Sequence, residues 1–273
     1  MIEPTVSGAA LVEQVLATNV DEEHVALWWL GHGGYLLKYS QTVVAVDPYL
    51  SDVLAGERLG PRQTAPVLSP TDLTCLSMVL VTQGAADHLD PQAVPALMQA
   101  SPDALLVLPA GLADRAGDEL GVPDERLVAI RPGEFFDHAG LTVHALGQTG
   151  SEHPRRVQYV LAADVAAIYL AGDVQPRPGQ AEDAAALSPT LALLPISGRG
   201  ASLQGLGLPG SMTPIEAARL AHELGVRVVV PQHYDMFSLH NADPCAFSEF
   251  CREHYPQLKV RILEPGARWI YPS

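Results

Sequence analysis

"MTPIEAARLAHELGVRVVVPQHYDMF", residues 212–237, holds the plan of the fold in one unit. Thr213 precedes Pro214 and stands three residues ahead of Glu216, the pattern of a capping box with proline in the first helical turn. Ala217, Leu220, Ala221 and Leu224 recur at helical spacing and make one apolar face. Gly225 stops the helix, because glycine enters the left-handed conformation at a helix end without a steric cost. Val226 to Val230 then read as a strand buried on both faces, closed by Pro231. A helix feeding a doubly buried strand is the repeat of a sheet with parallel strands and helices over its face. Polar residues begin directly after it, at the carboxyl end of the strand, where open α/β sheets keep their ligand sites.

Working outward, the same rhythm recurs. Residues 78–82 predict a strand, followed by Asp90 as a helix cap and a helix from Pro91. A strand at 104–108 leads to a helix near 110–120, and 126–130 reads as a further strand. Strand 190–194, a helix near 244–254 and strands at 258–263 and 268–271 complete this class. Two stretches alternate without helices. Residues 26–30, 35–39 and 42–46 form one, turning at Gly31, Gly33, Gly34 and Ser40-Gln41. Residues 141–146, 157–162 and 166–171 form the other. An amphipathic helix is expected over 6–18. The order is therefore meander, βα units, meander, βα units. Two sheets packed face to face with helices outside satisfy it: an α/β fold in four layers, αββα. One domain is expected over 1–273, with residues 1–24 as an N-terminal extension.

Composition narrows the partners. The 273 residues are 48% hydrophobic and carry 31 acidic against 16 basic side chains, a net charge of −15. That balance argues against nucleic acid, since no basic run exists to meet phosphates. No apolar run reaches the roughly 18 residues that a membrane span needs. "MIEPTVSGAALVEQVLATNVDEEH" has no basic start and no long apolar core, so no signal peptide is expected. Cys75, Cys245 and Cys251 are odd in number and lack metal-knuckle spacing; they read as free thiols of a cytoplasmic protein.

Four polar residues fall at strand ends. Asp87 and His88 follow strand 78–82, Asp173 follows 166–171, and His233 follows 226–230. Singly, each has an ordinary explanation: a turn aspartate, or a histidine bonded to a carbonyl. Together, two imidazoles and two carboxylates suit Zn²⁺, Mn²⁺ or Fe²⁺.

The blocks "WWLGHGGYLLKYSQTVVAVDPYLSD", "YLAGDVQP", "LLPISGRG", the 212–237 unit and "LEPGARWIY" resemble the metallo-β-lactamase superfamily in order and spacing, over roughly residues 25–271. More narrowly they resemble its L-ascorbate-6-phosphate lactonase branch. The resemblance implies the αββα sandwich and a two-metal motif, His-x-His-x-Asp-His. Laid on this chain, the motif places Gln83 and Ala85 where the first two histidines belong, and Asp87 and His88 where the last two ligands belong. The remaining ligand of the first metal position falls at Gly150, or at His153 after a small shift of register. The second metal position is complete: Asp87, His88, Asp173 and His233. The resemblance also places His32 in a turn facing the site, as a substrate-side or supporting residue, and Asp47 as support for a ligand histidine. Gln83, His153, Arg199 and Tyr234 are further candidates for the pocket wall, and Arg155, Arg156 or Arg199 for holding a substrate anion.

Two readings follow. One is a hydrolase with at most one divalent transition metal, acting on a small ester, a lactone or a phosphorylated sugar acid, with Asp87 and Asp173 in the chemistry. The other is an inactive paralogue that binds a ligand or a partner protein, with no metal if the site is fully degenerate. A small-molecule substrate is expected, with no nucleic acid or membrane partner, and a homo-oligomer.

Overall fold

The computed structural model describes residues 1–54, 60–147, 154–200, 205, 210–239 and 241–272. Within them two seven-stranded sheets lie face to face. The first runs β14 (Arg268–Tyr271), β1 (Val25–Gly31), β2 (Gly34–Tyr39), β3 (Thr42–Val46), β4 (Met78–Leu80), β5 (Leu105–Pro109) and β6 (Leu127–Ile130). The second runs β13 (Lys259–Val260), β12 (Val228–Gln232), β11 (Leu191–Pro195), β10 (Ala167–Leu170), β9 (Gln158–Ala162), β8 (Leu141–Leu146) and β7 (Phe135–His138). Both sheets pass from antiparallel pairing to parallel pairing, β3 through β6 in the first and β10 through β13 in the second. Helices α1 (Gly8–Ala17), α2 (Ala93–Ala100) and α3 (Ala113–Asp118) cover the first sheet. Helices α4 (Gln180–Ala185), α5 (Pro214–Glu223) and α6 (Pro244–His254) cover the second. This is the αββα sandwich.

Strand β1 shows how one sequence serves two layers. Val25, Leu27 and Trp29 join the core shared with the second sheet, while Ala26, Trp28 and Leu30 join the core under α1 and α2. The period of two along a strand produces this division. Trp28 donates from its indole to Gln14 of α1 at 2.8 Å. Lys38, nearly buried, turns its ammonium to the carbonyls of Val15 and Leu16 at the end of that helix, where a cation is favoured.

At α5 the capping box forms as the spacing predicts. Thr213 Oγ1 accepts from Glu216 N at 3.3 Å, and Thr213 N donates to the Glu216 carboxylate at 2.8 Å. Two elements were not expected from sequence. Strand β7 is a short edge strand whose "FFDH" alternates only between exposed and half-buried, so it lacks a strong apolar signal. Helix α4 has six residues behind the Pro-rich "VQPRPG", which reads locally as loop. The strand expected over 226–230 is displaced to 228–232, and that expected over 258–263 shortens to a two-residue ladder. Among the described residues, no helix is long and apolar enough to cross a membrane.

Asp90 fixes the loops that follow β3 and β4. One carboxylate oxygen accepts from Leu50 N and Ser51 N, at 3.1 and 2.9 Å. The other accepts from Gln92 N, Ala93 N and the Ser51 hydroxyl, each at 2.9 Å. The side chain is wholly buried. Asp90→Ala would strand several buried donors at once and is expected to cost about 3 kcal/mol, read as a lower urea midpoint. A change below roughly 1 kcal/mol would show that water replaces the carboxylate.

Candidate metal centre

The carboxyl ends of β3, β4, β10, β11 and β12, together with the β1–β2 turn, converge on one buried group of side chains. His32, Asp87, His88 and His233 each offer a ligand atom, and these atoms all lie within 4.8 Å of one another. All four residues are buried. The Asp87 carboxylate is at the centre. Its Oδ2 accepts from His32 Nε2 at 2.9 Å and lies 4.0 Å from His88 Nε2 and 3.9 Å from His233 Nε2. Ligand atoms around a tetrahedral ion at about 2.0–2.1 Å sit roughly 3.3 Å apart. The cluster is therefore close to the size of a coordination shell.

Each member is held by its own set of partners. His88 Nδ1 donates to Asp47 Oδ2 at 2.7 Å, which leaves Nε2 directed at the cluster; Nε2 is buried and has no hydrogen-bond partner. Asp47 is fixed in turn by Thr82, whose amide donates to Oδ1 at 2.8 Å and whose hydroxyl donates to Oδ2 at 2.6 Å. A carboxylate behind a ligand histidine sets its tautomer and raises its basicity. His233 reaches Ser197 Oγ through Nδ1 at 3.3 Å. Its backbone N–H donates to the His32 carbonyl at 2.9 Å, and the Trp29 indole donates to that same carbonyl at 3.1 Å. The His32 N–H donates to Asp235 Oδ1, and Asp235 Oδ2 accepts from the Thr64 hydroxyl at 2.6 Å.

Backbone geometry is unusual at the same residues. His32, Asp47 and His233 all have positive φ, at 56°, 40° and 62°. Such conformations are costly for side-chain-bearing residues and persist where surrounding contacts impose them. The hydrogen bonds above are those contacts.

Charge follows burial. For Asp87, burial works upward, and His88, His32 and His233 more than reverse it, so its carboxyl is held well below the usual range. For His88, burial works downward, but Asp47 and Asp87 prevail and its imidazole rises to about 9. Asp173 differs: burial dominates and pushes its carboxyl up. Its Oδ1 is buried without a partner, and its backbone carbonyl accepts from Arg156 at 3.3 Å.

The structure thus gathers Asp87, His88 and His233, and adds His32 as a fourth member of the cluster where the resemblance implied Asp173. Asp173 lies beside that cluster and interacts electrostatically with His88, Asp87 and His32. Gln83 is buried, pairs in a backbone bridge with Arg156, and has a side-chain oxygen with no partner. Ala85 is exposed, and its carbonyl accepts from the amides of His88 and Leu89. Arg199 turns to Glu216 of the α5 cap at 2.5 Å and to the Ser211 carbonyl at 3.0 Å. Tyr234 packs in the core, its ring 5.3 Å from that of Trp29. Gly150 and His153 lie outside the described residues. Thr82, Ser197 and Asp235 were not assigned supporting roles from sequence, because each acts across a long separation in the chain that no local pattern marks.

A family model described as a β-lactamase superfamily domain matches residues 42–234. A metal-dependent hydrolase of Myxococcus xanthus is 27% identical over 88% of this chain and 81% of its own. A probable L-ascorbate-6-phosphate lactonase of Escherichia fergusonii is 26% identical over 97% of this chain and 86% of its own. Among solved structures, a metallo hydrolase of Ignicoccus hospitalis superposes with a TM-score of 0.69 at 22% identity, covering 92% of this chain and 99% of that one. An isothiocyanate hydrolase from Delia radicum gut bacteria gives 0.70 at 19% identity, covering 89% and 98%. The two structural likenesses concern the fold.

Gly172 tests the supporting network. Its φ is +66°, and a Cβ there would fall 2.6 Å from Thr82 Oγ1 and 2.8 Å from Thr82 Cβ. Gly172→Ala must push Thr82 off Asp47 and loosen His88. Zn²⁺ affinity is expected to fall roughly 10–100-fold in a competition titration with a chromogenic chelator. Unchanged affinity would show that Thr82 does not position the Asp47–His88 pair.

Proposed function

Because the chain belongs to the β-lactamase superfamily, we propose that it is a metal-dependent hydrolase working with a single divalent ion at the Asp87, His88 and His233 end of its site. The carrying observation is the cluster of four buried side chains with ligand atoms within 4.8 Å, together with the buried, partnerless Nε2 of His88. A buried imidazole nitrogen aimed at a carboxylate and two further imidazoles fits Zn²⁺, Mn²⁺ or Fe²⁺ in donor type and size. The curated relatives, named as hydrolases and lactonases, support the same reading.

A divalent ion bound there supplies Lewis-acid polarisation of a carbonyl or phosphoryl oxygen and acidification of a water. The chain's own residues do the rest. His32 donates to Asp87 and holds the orientation of that carboxylate. Asp173, with a buried and partnerless oxygen, takes the proton of the attacking water. The rings of Tyr49 and Phe237, centred 6.3 and 5.7 Å from that of His32, wall one side of the cluster against solvent. The substrate proposed is a small ester or lactone, with a phosphorylated sugar acid as the form suggested by the Escherichia fergusonii relative.

One ion rather than two follows from the loop before Asp87. Ala85 carries no ligand atom and is exposed, and Gln83 offers at most an amide oxygen. The same two residues favour the second reading, an inactive ligand-binding or partner paralogue, and activity separates the two.

Metal analysis after reconstitution is expected to give about one ion per chain, and His233→Ala to lose it. A content near two would overturn the single-ion assignment; a chain that stays empty would remove the hydrolase reading. Against a panel of lactones and phosphodiesters, Asp173→Asn is expected to keep its metal and lower kcat roughly 10²–10⁴-fold. Loss of metal in that variant would make Asp173 a ligand instead of the base. No turnover of any panel member by the loaded wild type would favour the inactive paralogue.

A further inference from the structure

Behind His233, the segment that leaves β11 meets the approach to α5, and three oxygens line up there. His233 Nδ1 stands 3.3 Å from Ser197 Oγ, Ser197 Oγ stands 2.8 Å from Ser211 Oγ, and Ser211 Oγ reaches the Met212 carbonyl at 3.5 Å. Ser197 follows β11 and is half-buried. Ser211 precedes the Thr213 cap of α5 and is wholly buried.

The backbone that carries the two serines is pinned. Gly198 N donates to the Met212 carbonyl and Ser211 N to the Gly198 carbonyl, both at 2.9 Å. Arg199 donates to the Ser211 carbonyl at 3.0 Å. Gly210, at φ +62°, lets the two segments approach so closely that a Cβ on it would fall 2.6 Å from the Gly198 carbonyl oxygen. Paired backbone therefore sets how the two hydroxyls face each other.

The direction of the protons along this row follows from what each atom can do. A carbonyl only accepts, a hydroxyl does both, and a neutral imidazole donates from one nitrogen and accepts at the other. With Ser211 donating to the Met212 carbonyl, its oxygen is open to the Ser197 hydroxyl, and the Ser197 oxygen to an N–H at His233 Nδ1. Every contact in the row is then a hydrogen bond. In the opposite sense Ser211 donates to Ser197, and Ser197 to Nδ1. The Met212 carbonyl then loses the Ser211 bond. The imidazole proton, moved to Nε2, faces Asp87 Oδ2 across 3.9 Å, beyond hydrogen-bond reach. The first sense makes the fuller set of bonds.

We propose that Ser211, acting through Ser197, is the positioning residue that keeps the His233 proton on Nδ1 and turns the Nε2 lone pair to the Asp87 cluster. Asp47 holds His88 in the corresponding tautomer with a carboxylate. At His233 a row of hydroxyls ending on a carbonyl has that part. This role rests on the single-ion reading, in which His233 Nε2 is a ligand. Ser211→Ala leaves Ser197 in place but removes its acceptor. The Ser197 proton then turns to Nδ1, and the imidazole proton passes to Nε2, where it stands in the way of a metal ion.

Zn²⁺ affinity, measured by competition with a chromogenic chelator, tests this in the full chain. The variants are Ser211→Ala, Ser197→Ala, Ser197→Thr and the double variant Ser197→Ala/Ser211→Ala, with thermal melts as the check on folding. Affinity is expected to fall roughly 10–100-fold in each single alanine variant, while Ser197→Thr, which keeps the hydroxyl, stays within about twofold of wild type. Ser211→Ala is expected to add nothing once Ser197 is alanine, because its effect passes through that hydroxyl. Additive losses would mean that Ser211 acts by packing alone and would overturn the proposal. So would unchanged affinity in either single alanine variant, or a Ser197→Thr chain as weak as Ser197→Ala. A wild-type chain that takes up no Zn²⁺ would overturn the single-ion reading and this role with it. Zn²⁺ held equally by wild type and Ser211→Ala would overturn this role alone.

Discussion

A carboxylate buried among three imidazoles sets the terms for everything around it. Asp87 is 7% exposed, and within 4.0 Å of one of its oxygens lie ring nitrogens of His32, His88 and His233. A charge in such a place is tolerable only with compensation. In the protein alone that compensation comes from the imidazoles, and Asp47 and Asp87 push His88 toward its protonated form against the effect of burial. A divalent cation held by Asp87, His88 and His233 would take over that role. The site thus has the electrostatics of a cation-binding cavity irrespective of which cation occupies it. Its acidic surroundings, Asp47 behind His88 and Asp173 beside it, strengthen that preference.

The two sheets are locked together at this end through atoms that also orient the ligands. The His32 carbonyl receives the amide of His233 and the indole of Trp29, so the first sheet's turn and the end of β12 cannot move independently. Thr82, following β4, accepts Val157 N at its carbonyl and donates to Asp47 with its amide and hydroxyl. The Tyr159 hydroxyl, from β9, donates to the Val81 carbonyl at 3.0 Å. Positive φ at His32, Asp47 and His233 is the local cost of this arrangement, and the tertiary bonds offset it. Such bonds make the spacing of ligand atoms a property of the sandwich and not of any one loop.

Much of this was legible in the sequence. The helix of "MTPIEAARLAHELG" announces both ends by chemistry: a cap pair at Thr213 and Glu216, a stop at Gly225. The strand-end rule led to Asp87, His88, Asp173 and His233 as candidates, since a strand's apolar run ends visibly where they begin. His32 was legible as a glycine-flanked turn residue that the resemblance places facing the site, but not as a member of the cluster. Its place in the cluster depends on Asp235, more than 200 residues away, holding its amide, and on a φ that no residue type announces. Thr82 was unreadable for the same reason: a threonine after a strand is ordinary until Asp47 and Gly172 meet it from other strands. Strand β7 and helix α4 escaped because edge strands and single-turn helices carry too little periodicity to rise above loop composition.

The loop "VTQGAADHLD" carries Asp87 and His88 on a course set by its backbone. Its course does not depend on side chains at 83 and 85. Gly84 offers its carbonyl to Arg115 of α3, and a Cβ there would fall 2.7 Å from Leu112. The Ala85 carbonyl accepts from the His88 and Leu89 amides, and Asp90 anchors the far end. These backbone contacts hold the loop from which Asp87 and His88 project. Their orientation comes from His32 and Asp47, which belong to the β1–β2 turn and the end of β3. Gln83 and Ala85 take no part in those bonds. Gln83 and Asp173 each keep a partnerless oxygen, both buried and both attached to backbone that meets Arg156. One of these buried oxygens belongs to an amide that also carries donors and the other to a carboxylate, and each calls for a hydrogen-bond donor. That is a different demand from the one a second metal ion would make.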